Sequence, residues 1–178
     1  MEKGQQLMIT GDAGLLIVRL VIGLGFAAHG AQKLFGWFGG YGLAGTGAFF
    51  ESMGFRPGKL QAFLAGCGEF FGGLLVALGF LGPVGPALAA AVMVVAILAI
   101  HLKNGFFVTN NGYEVPLLYL ASMSGLAFAG YGAYALDRAF AIGFSAPVAY
   151  AVVALGMLAG LAAFATRGKV PAVQPPGT

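Results

Sequence analysis

Charge is the scarcest property of this 178-residue sequence. Asp, Glu, Lys and Arg together make up 8% of it, against about 25% in an ordinary soluble domain. With 59% hydrophobic residues and a mean hydropathy of +0.89, the chain cannot coat itself in polar surface, which argues against a water-soluble fold. Cysteine is nearly absent. Cys67 stands alone, which excludes an internal disulfide, a CxxC redox pair and a thiolate cluster, and reads as a buried, inert thiol. Basic residues are few and scattered. The net charge is +3, and no Lys/Arg stripe interleaved with aromatics exists, so nucleic acid is not an expected partner. No cleavable signal peptide is expected, because the first apolar run contains Arg19 and outlasts a signal core. A haem motif and a flavin fingerprint are also missing.

What is present is glycine, 31 residues, and phenylalanine, 16. In lipid, small residues let helix backbones approach closely, and packing rather than hydrophobic force joins helices. A bilayer-spanning helix needs about 20 mainly apolar residues. Five stretches qualify or nearly qualify: Ala13 to Phe35, Gln61 to Leu81, Pro86 to Leu102, Val115 to Gly130 and Pro147 to Thr166. The third and fourth are short. Gly82-Pro83-Val84-Gly85-Pro86 reads as a tight turn with Pro86 at the first helical position. Asn104-Gly105 and Asn110-Asn111-Gly112 bracket a Phe-Phe loop, and Ser145-Ala146-Pro147 reads as a cap and helix start. In the first loop, Thr46 is expected to cap a short interfacial helix carrying Phe49, Phe50 and Met53 on one face, with Gly54 ending it. The Pro-rich tail from Val170 is expected to be disordered. The fold expected is therefore all-α: a four-helix transmembrane bundle over residues 1–140, then a fifth transmembrane helix and tail over 141–178.

The positive-inside rule sets the orientation. The side carrying Lys33, Arg56, Lys59, Lys103, Arg167 and Lys169 is expected to be cytoplasmic, with the N-terminus outside and the protein in the cell inner membrane. The other side has only Lys3 and Arg138, plus Arg19 near the outer end of the first span. Arg19 is expected to pair with Asp137 on the outer loop; snorkelling to lipid headgroups is the competing reading.

Ionisable groups inside a span are costly, about 2.5–3.5 kcal/mol at the centre, and normally face the bundle interior. Glu69 lies roughly 12 Å into the second span. Its neighbours at helical spacing are Ala65, Gly66, Gly72 and Gly73, a smooth face suited to close helix contact. Glu69 should point into the bundle, carrying either a proton or a cation partner. Because alternate spans reverse direction, His29, Lys33, Glu51, Glu69, His101, Lys103 and Glu114 all fall toward the same side. The sequence also suggests a repeat. His29 and His101 are each followed by a lysine, a Gly-aromatic-aromatic triplet and, twelve residues on, a tyrosine. Glu69 and Glu114 follow on the next spans, so two hairpins could carry paired polar sites.

The run Arg19-Leu20, His29-Gly30, Lys33-Leu34-Phe35-Gly36, Gly45-Thr46, Phe49-Phe50, Gly54-Phe55, Gly68-Glu69-Phe70-Phe71-Gly72-Gly73, His101, Asn104-Gly105-Phe106-Phe107, Gly112-Tyr113-Glu114 and Leu136-Asp137 resembles the DoxX family of small membrane proteins, over about residues 14 to 140. The resemblance implies a four-helix membrane bundle and quinone-linked redox or oxidative-stress work, and carries nothing over beyond residue 140.

Four functions are then open. A quinone site would use His29, Glu69 and His101 for hydrogen bonds and protons. Lys33 and Glu114 would lie beside it, and Trp37, Phe38, Phe106 and Phe107 would wall the ring. It would need a partner or cofactor to supply electrons. A metal site would use His29, Glu69, His101 and Glu114. A non-catalytic subunit, anchoring or stabilising a larger complex of membrane or peripheral subunits or a homo-oligomer, would use the same residues as interhelical glue. A transporter or channel would need an oligomer to form its pore.

Overall fold

A computed structural model describes the backbone of residues 2–168 and the side chains of residues 11–168. The Pro-rich tail lies outside the described residues. The elements are α1 (Glu2–Phe35), a 3₁₀ turn (Trp37–Gly39), α2 (Gly42–Ser52), α3 (Gly58–Leu78) and α4 (Val84–Ala96). A π turn (Ile97–His101) and a 3₁₀ turn (Leu102–Asn104) continue α4, and a further 3₁₀ turn (Val108–Asn110) precedes α5 (Glu114–Ala129). A short α6 (Leu136–Ala139) and α7 (Ala146–Ala165) complete the described chain. Among the described residues, four helical stretches are long and apolar enough to cross a membrane: Gly11–Phe35, Gly58–Leu78, Val84–Asn104 and Ala146–Ala165. The shorter apolar helix Glu114–Ala129 lies between the last two. The chain is a multi-pass helical membrane protein.

Helices α1, α3, α4 and α5 form a closed ring of four, each packed on the next. The fifth long helix, α7, packs outside the ring on α4 and α5, and α2 lies against α3 and α1. Glycine sets the closest seam. A methyl added at Gly30 would stand 2.7 Å from the Gly66 carbonyl oxygen, and one added at Gly73 would stand 2.5 Å from the Ala27 nitrogen. Position 30 therefore faces 66 while 27 faces 73, so α1 and α3 run antiparallel with their backbones in contact. On α7, Gly156 lies against Ala87 and Gly160 against Ala91, so α7 runs parallel to α4.

Two boundary expectations need correction. Thr46 does not cap α2. Left-handed Gly36, Gly39 and Gly42 fold the chain back early, so α2 starts five residues sooner, after Tyr41, and Thr46 sits inside it, buried. Glu51, at the far end of α2, accepts the Gly58 N–H at 3.1 Å and ties α2 to the start of α3. Likewise α4 begins two residues before Pro86. The first N–H groups of a helix have no intrahelical partner, so proline loses nothing in that turn.

The Arg19–Asp137 ion pair does not form, and Arg19 does not snorkel. Arg19 is buried, and its guanidinium donates to the carbonyls of Tyr131 (3.1 Å) and Tyr134. Asp137 is saturated elsewhere: its two carboxylate oxygens accept the N–H groups of Leu81 (2.8 Å) and Gly82 (2.7 Å). Both of those residues have positive φ, and that turn aims consecutive amides at one carboxylate. Tyr131 donates its hydroxyl to the Gly82 carbonyl at 2.7 Å. Burial, and then the nearby Asp137 charge, push the Tyr131 hydroxyl upward in pKa, which keeps it a donor. These bonds lace the loop after α5 to the α3–α4 turn. Asp137→Ala strands two amides and should cost about 2–6 kcal/mol, at about 1–3 per group. Denaturant unfolding in detergent measures it, and a loss below 1 kcal/mol would show that water replaces the carboxylate.

Candidate functional site

Lys33 and Glu69 meet because α1 and α3 are antiparallel. Helical side chains lean toward the N-terminus of their own helix. Lys33, near the end of α1, leans into the bundle, and Glu69 on α3 leans toward it. The Lys33 ammonium donates to the Glu69 carboxylate in an ion pair, the sole such pair among the described residues. The Glu69 side chain is 3% exposed and that of Lys33 26%. Glu69 thus faces protein, as its glycine neighbours led one to expect.

This pair forms part of the wall of a cavity of about 630 Å³ lined by α1, α2, α3, α4, α5 and α7. His29 and Lys33 of α1, Glu69 of α3 and His101 at the end of α4 all line it. Thr46, Gln61, Asn111 and Tyr119 line it as well. Two packed clusters bound it: one includes Phe26, Met93 and Met123, the other Phe50, Phe55 and Ala99 beneath α2. The His29 ring stands edge-on to Tyr119, centroids 5.8 Å apart, and Tyr119 leans on Phe26 at 5.1 Å.

The polar groups divide by what they already hold. Lys33 holds Glu69. His101 Nδ1 lies 2.8 Å from the Asn111 carbonyl oxygen. A carbonyl only accepts, so Nδ1 must carry the hydrogen, and in the neutral ring Nε2 is an acceptor. Asn104 donates to the same carbonyl at 3.1 Å and helps fix it. By contrast, no side-chain hydrogen bond to His29, Thr46, Gln61 or Tyr119 is found among the described residues. These four offer donors and acceptors to whatever occupies the cavity.

Other expected site residues lie apart. Trp37 and Phe106 do not line the cavity. Trp37 is 56% exposed and stacks on Phe35, and Phe106 packs against Phe107 and Tyr113. Left-handed turns at Gly36 and Gly105 carry these aromatics away from the ring. Glu114 accepts the Val108 N–H at 2.8 Å and closes the loop before α5. The four-residue metal set therefore does not assemble. Among the described residues no three His, Cys, Asp or Glu side chains gather closely enough to hold a metal ion. The repeat fails chemically for the same reason: Glu114 serves the loop and Lys103 is exposed, so only the first hairpin makes an ion pair. Tyr119, Thr46 and Gln61 were missed in the sequence. Tyr119 had a usable signal, as the sole tyrosine within its span.

The model of the DoxX family matches residues 14–102 of the chain, half of its length. The chain belongs to the DoxX family. The match takes in α1 to α4, with His29, Lys33, Glu69 and His101, and stops short of the 140 suggested by the sequence resemblance. The DoxX chain is also 30% identical over 126 residues to a Bacillus subtilis (strain 168) protein named "Putative oxidoreductase CatD", covering 71% of this chain and 86% of that one. No solved structure matches it.

Proposed function

We propose that this DoxX protein binds a quinone head in the ring cavity and serves a quinone-linked oxidoreductase in the cytoplasmic membrane. The observation that carries the reading is the cavity itself. Unpartnered His29, Thr46, Gln61 and Tyr119 lie beside a buried ammonium–carboxylate pair. A quinone needs donors at two carbonyl oxygens, and reducing it takes two electrons and two protons. Lys33 with Glu69, and His29, are placed to give protons. His101, whose Nε2 is free to accept, is the group to recharge them from the α2 end. That end carries most of the Lys and Arg residues, which makes it the cytoplasmic side. The electrons come from a partner subunit bearing the donor. The name of the Bacillus relative agrees with this class of chemistry.

The test is to purify the protein in native lipid, extract it and assay bound quinone. Roughly stoichiometric quinone is expected. Glu69→Gln should keep bound quinone but slow quinol formation in the native complex by about 10²-fold or more. Neither retained nor rebound quinone in wild type would end the reading.

The Lys33–Glu69 bond also favours a second reading. It ties α1 to α3 where their glycines already touch, as glue in a non-catalytic subunit. On that reading Glu69→Gln lowers accumulation and leaves the quinone chemistry of the surviving protein unchanged.

A further inference from the structure

The end of the bundle opposite α2 carries a cleft of its own. It holds about 370 Å³ between the end of α5, α6 and the start of α7, over the α3–α4 turn. Its floor is buried, at Pro83, Leu126, Tyr131, Ala135 and Ala149. Its rim, at Phe128, Arg138 and Phe144, is exposed. Two opposite charges line it, and neither meets a counter-ion among the described residues, whose one ion pair is Lys33–Glu69. Asp137 is 9% exposed. It takes the Leu81 and Gly82 amides, which are neutral, on one oxygen each. An ionised carboxylate has about four lone-pair positions, so it can accept further bonds. Burying such a charge is costly unless a cation meets it. Arg138, the next residue of α6, is exposed and unpaired. The carboxylate is held in place on every side. The Ile142 amide donates to the Asp137 carbonyl at 2.8 Å, and the Phe144 ring lies over Gly82. Helix α7 begins at the same cleft, with Ala146 in its wall. Ser145 makes no side-chain cap bond there, so the first amides of α7 stay open to an anion.

We propose that this cleft is a headgroup site for an aminophospholipid, with the ammonium on Asp137 and the phosphodiester on Arg138 and the first amides of α7. The proposal is independent of the quinone reading. Two poles of opposite charge in one cleft call for a ligand that carries both. The surroundings favour a lipid over a soluble zwitterion. Phe128, Phe144 and Tyr150 are exposed around the cleft, Phe128 and Tyr150 stack edge-on at 4.7 Å, and the exposed face of α7 continues to Leu155 and Leu158. Acyl chains leaving the cleft therefore have an apolar surface to follow. The ammonium must be a primary one. It donates N–H bonds to the free positions of Asp137, whereas a trimethylammonium has no N–H and a glycerol headgroup has no positive charge. A lipid seated there bridges the α5–α6 segment to α7, the long helix that packs outside the ring. All of the cleft except the α3–α4 turn lies beyond the residues matched by the family model.

The full-length protein is delipidated in mild detergent and titrated with phosphatidylethanolamine, phosphatidylcholine or phosphatidylglycerol of the same acyl chains, and native mass spectrometry counts the lipids held. One phosphatidylethanolamine per chain is expected, bound at least about fivefold more tightly than either of the others. The lipid series tests Asp137 without replacing it, because its substitution strands two amides. Arg138→Gln tests the other pole at an exposed position. It should keep the wild-type unfolding midpoint and weaken phosphatidylethanolamine at least about fivefold, while the preference over phosphatidylcholine persists. Equal binding of all three lipids overturns the proposal, as does a preference for phosphatidylglycerol, which would make the cleft an anion site alone. Unchanged phosphatidylethanolamine affinity in Arg138→Gln puts the lipid elsewhere and also overturns it. Displacement of the bound lipid by an equal concentration of glycerophosphoethanolamine assigns the cleft to a soluble zwitterion, with the same consequence.

Discussion

Lys33→Met is expected to lower the stability of the detergent-solubilised protein by about 2–4 kcal/mol. Removing one partner of a buried ion pair costs about 3–5 kcal/mol, because the other charge is left unpaired. The partial exposure of Lys33 takes this toward the lower end. The informative comparison is the double variant. Lys33→Met with Glu69→Met removes both charges and keeps side chains of similar length, so most of the loss should return. Unfolding curves for wild type, both single variants and the double variant close the cycle. A double variant as unstable as Lys33→Met would show that the two residues do not act as a pair, and would remove the ammonium–carboxylate couple from the proposed proton supply.

The second large effect belongs to the α1–α3 seam. Gly73→Ala puts a methyl 2.5 Å from the Ala27 nitrogen and 3.0 Å from its Cα. Those are backbone atoms and cannot rotate away, so the helices must separate. Overpacking a core costs about 1–3 kcal/mol even where side chains can yield. Here at least about 3 kcal/mol is expected, together with loosening of the Lys33–Glu69 bond. Gly125 on α5 is the control. A methyl there meets nothing within 4 Å, so Gly125→Ala should be neutral or stabilise by up to about 1 kcal/mol. Thermal unfolding of the two variants side by side decides the matter. Equal behaviour would mean that glycine acts in this chain through helix propensity and not through close approach.

Much of the architecture was legible because lipid imposes blunt rules. A span must be long and apolar, so the hydropathy pattern located the membrane spans to within a few residues, though not the start of α1, which begins at Glu2. A carboxyl group in a span must face protein, and glycines flanking Glu69 at three and four residues predicted a close seam on that side. The structure places Gly66 against Leu34 and Gly73 against Ala27. What could not be read depends on loop paths. Arg19 and Asp137 looked like partners because both lie at one end of the bundle. The bonds they make are to backbone amides and carbonyls, which a sequence does not display. Trp37 and Phe106 looked like ring walls because they follow histidines, and left-handed glycines turn them out. Thr46 and Tyr119 escaped notice because single hydroxyl groups in apolar helices cost little and carry no pattern. The cavity assembles residues from six helices and the loop before α5, and only the ionisable ones announced themselves.

The π turn at Ile97–His101 makes the heading of one imidazole a matter of arithmetic. A π turn holds one residue more than an α turn between its bonded ends. Each residue of an α-helix advances the side-chain direction by about 100°. The turn absorbs that extra residue: straightening Ile97–His101 to ordinary α pitch at its present length would swing His101 about a quarter-turn from the cavity, whereas removing one residue along with the π turn would leave its heading nearly unchanged. The hydrogen-bond pattern of five apolar-flanked residues thus aims the imidazole, and His101 can lose the site by a change of pitch with every side chain retained.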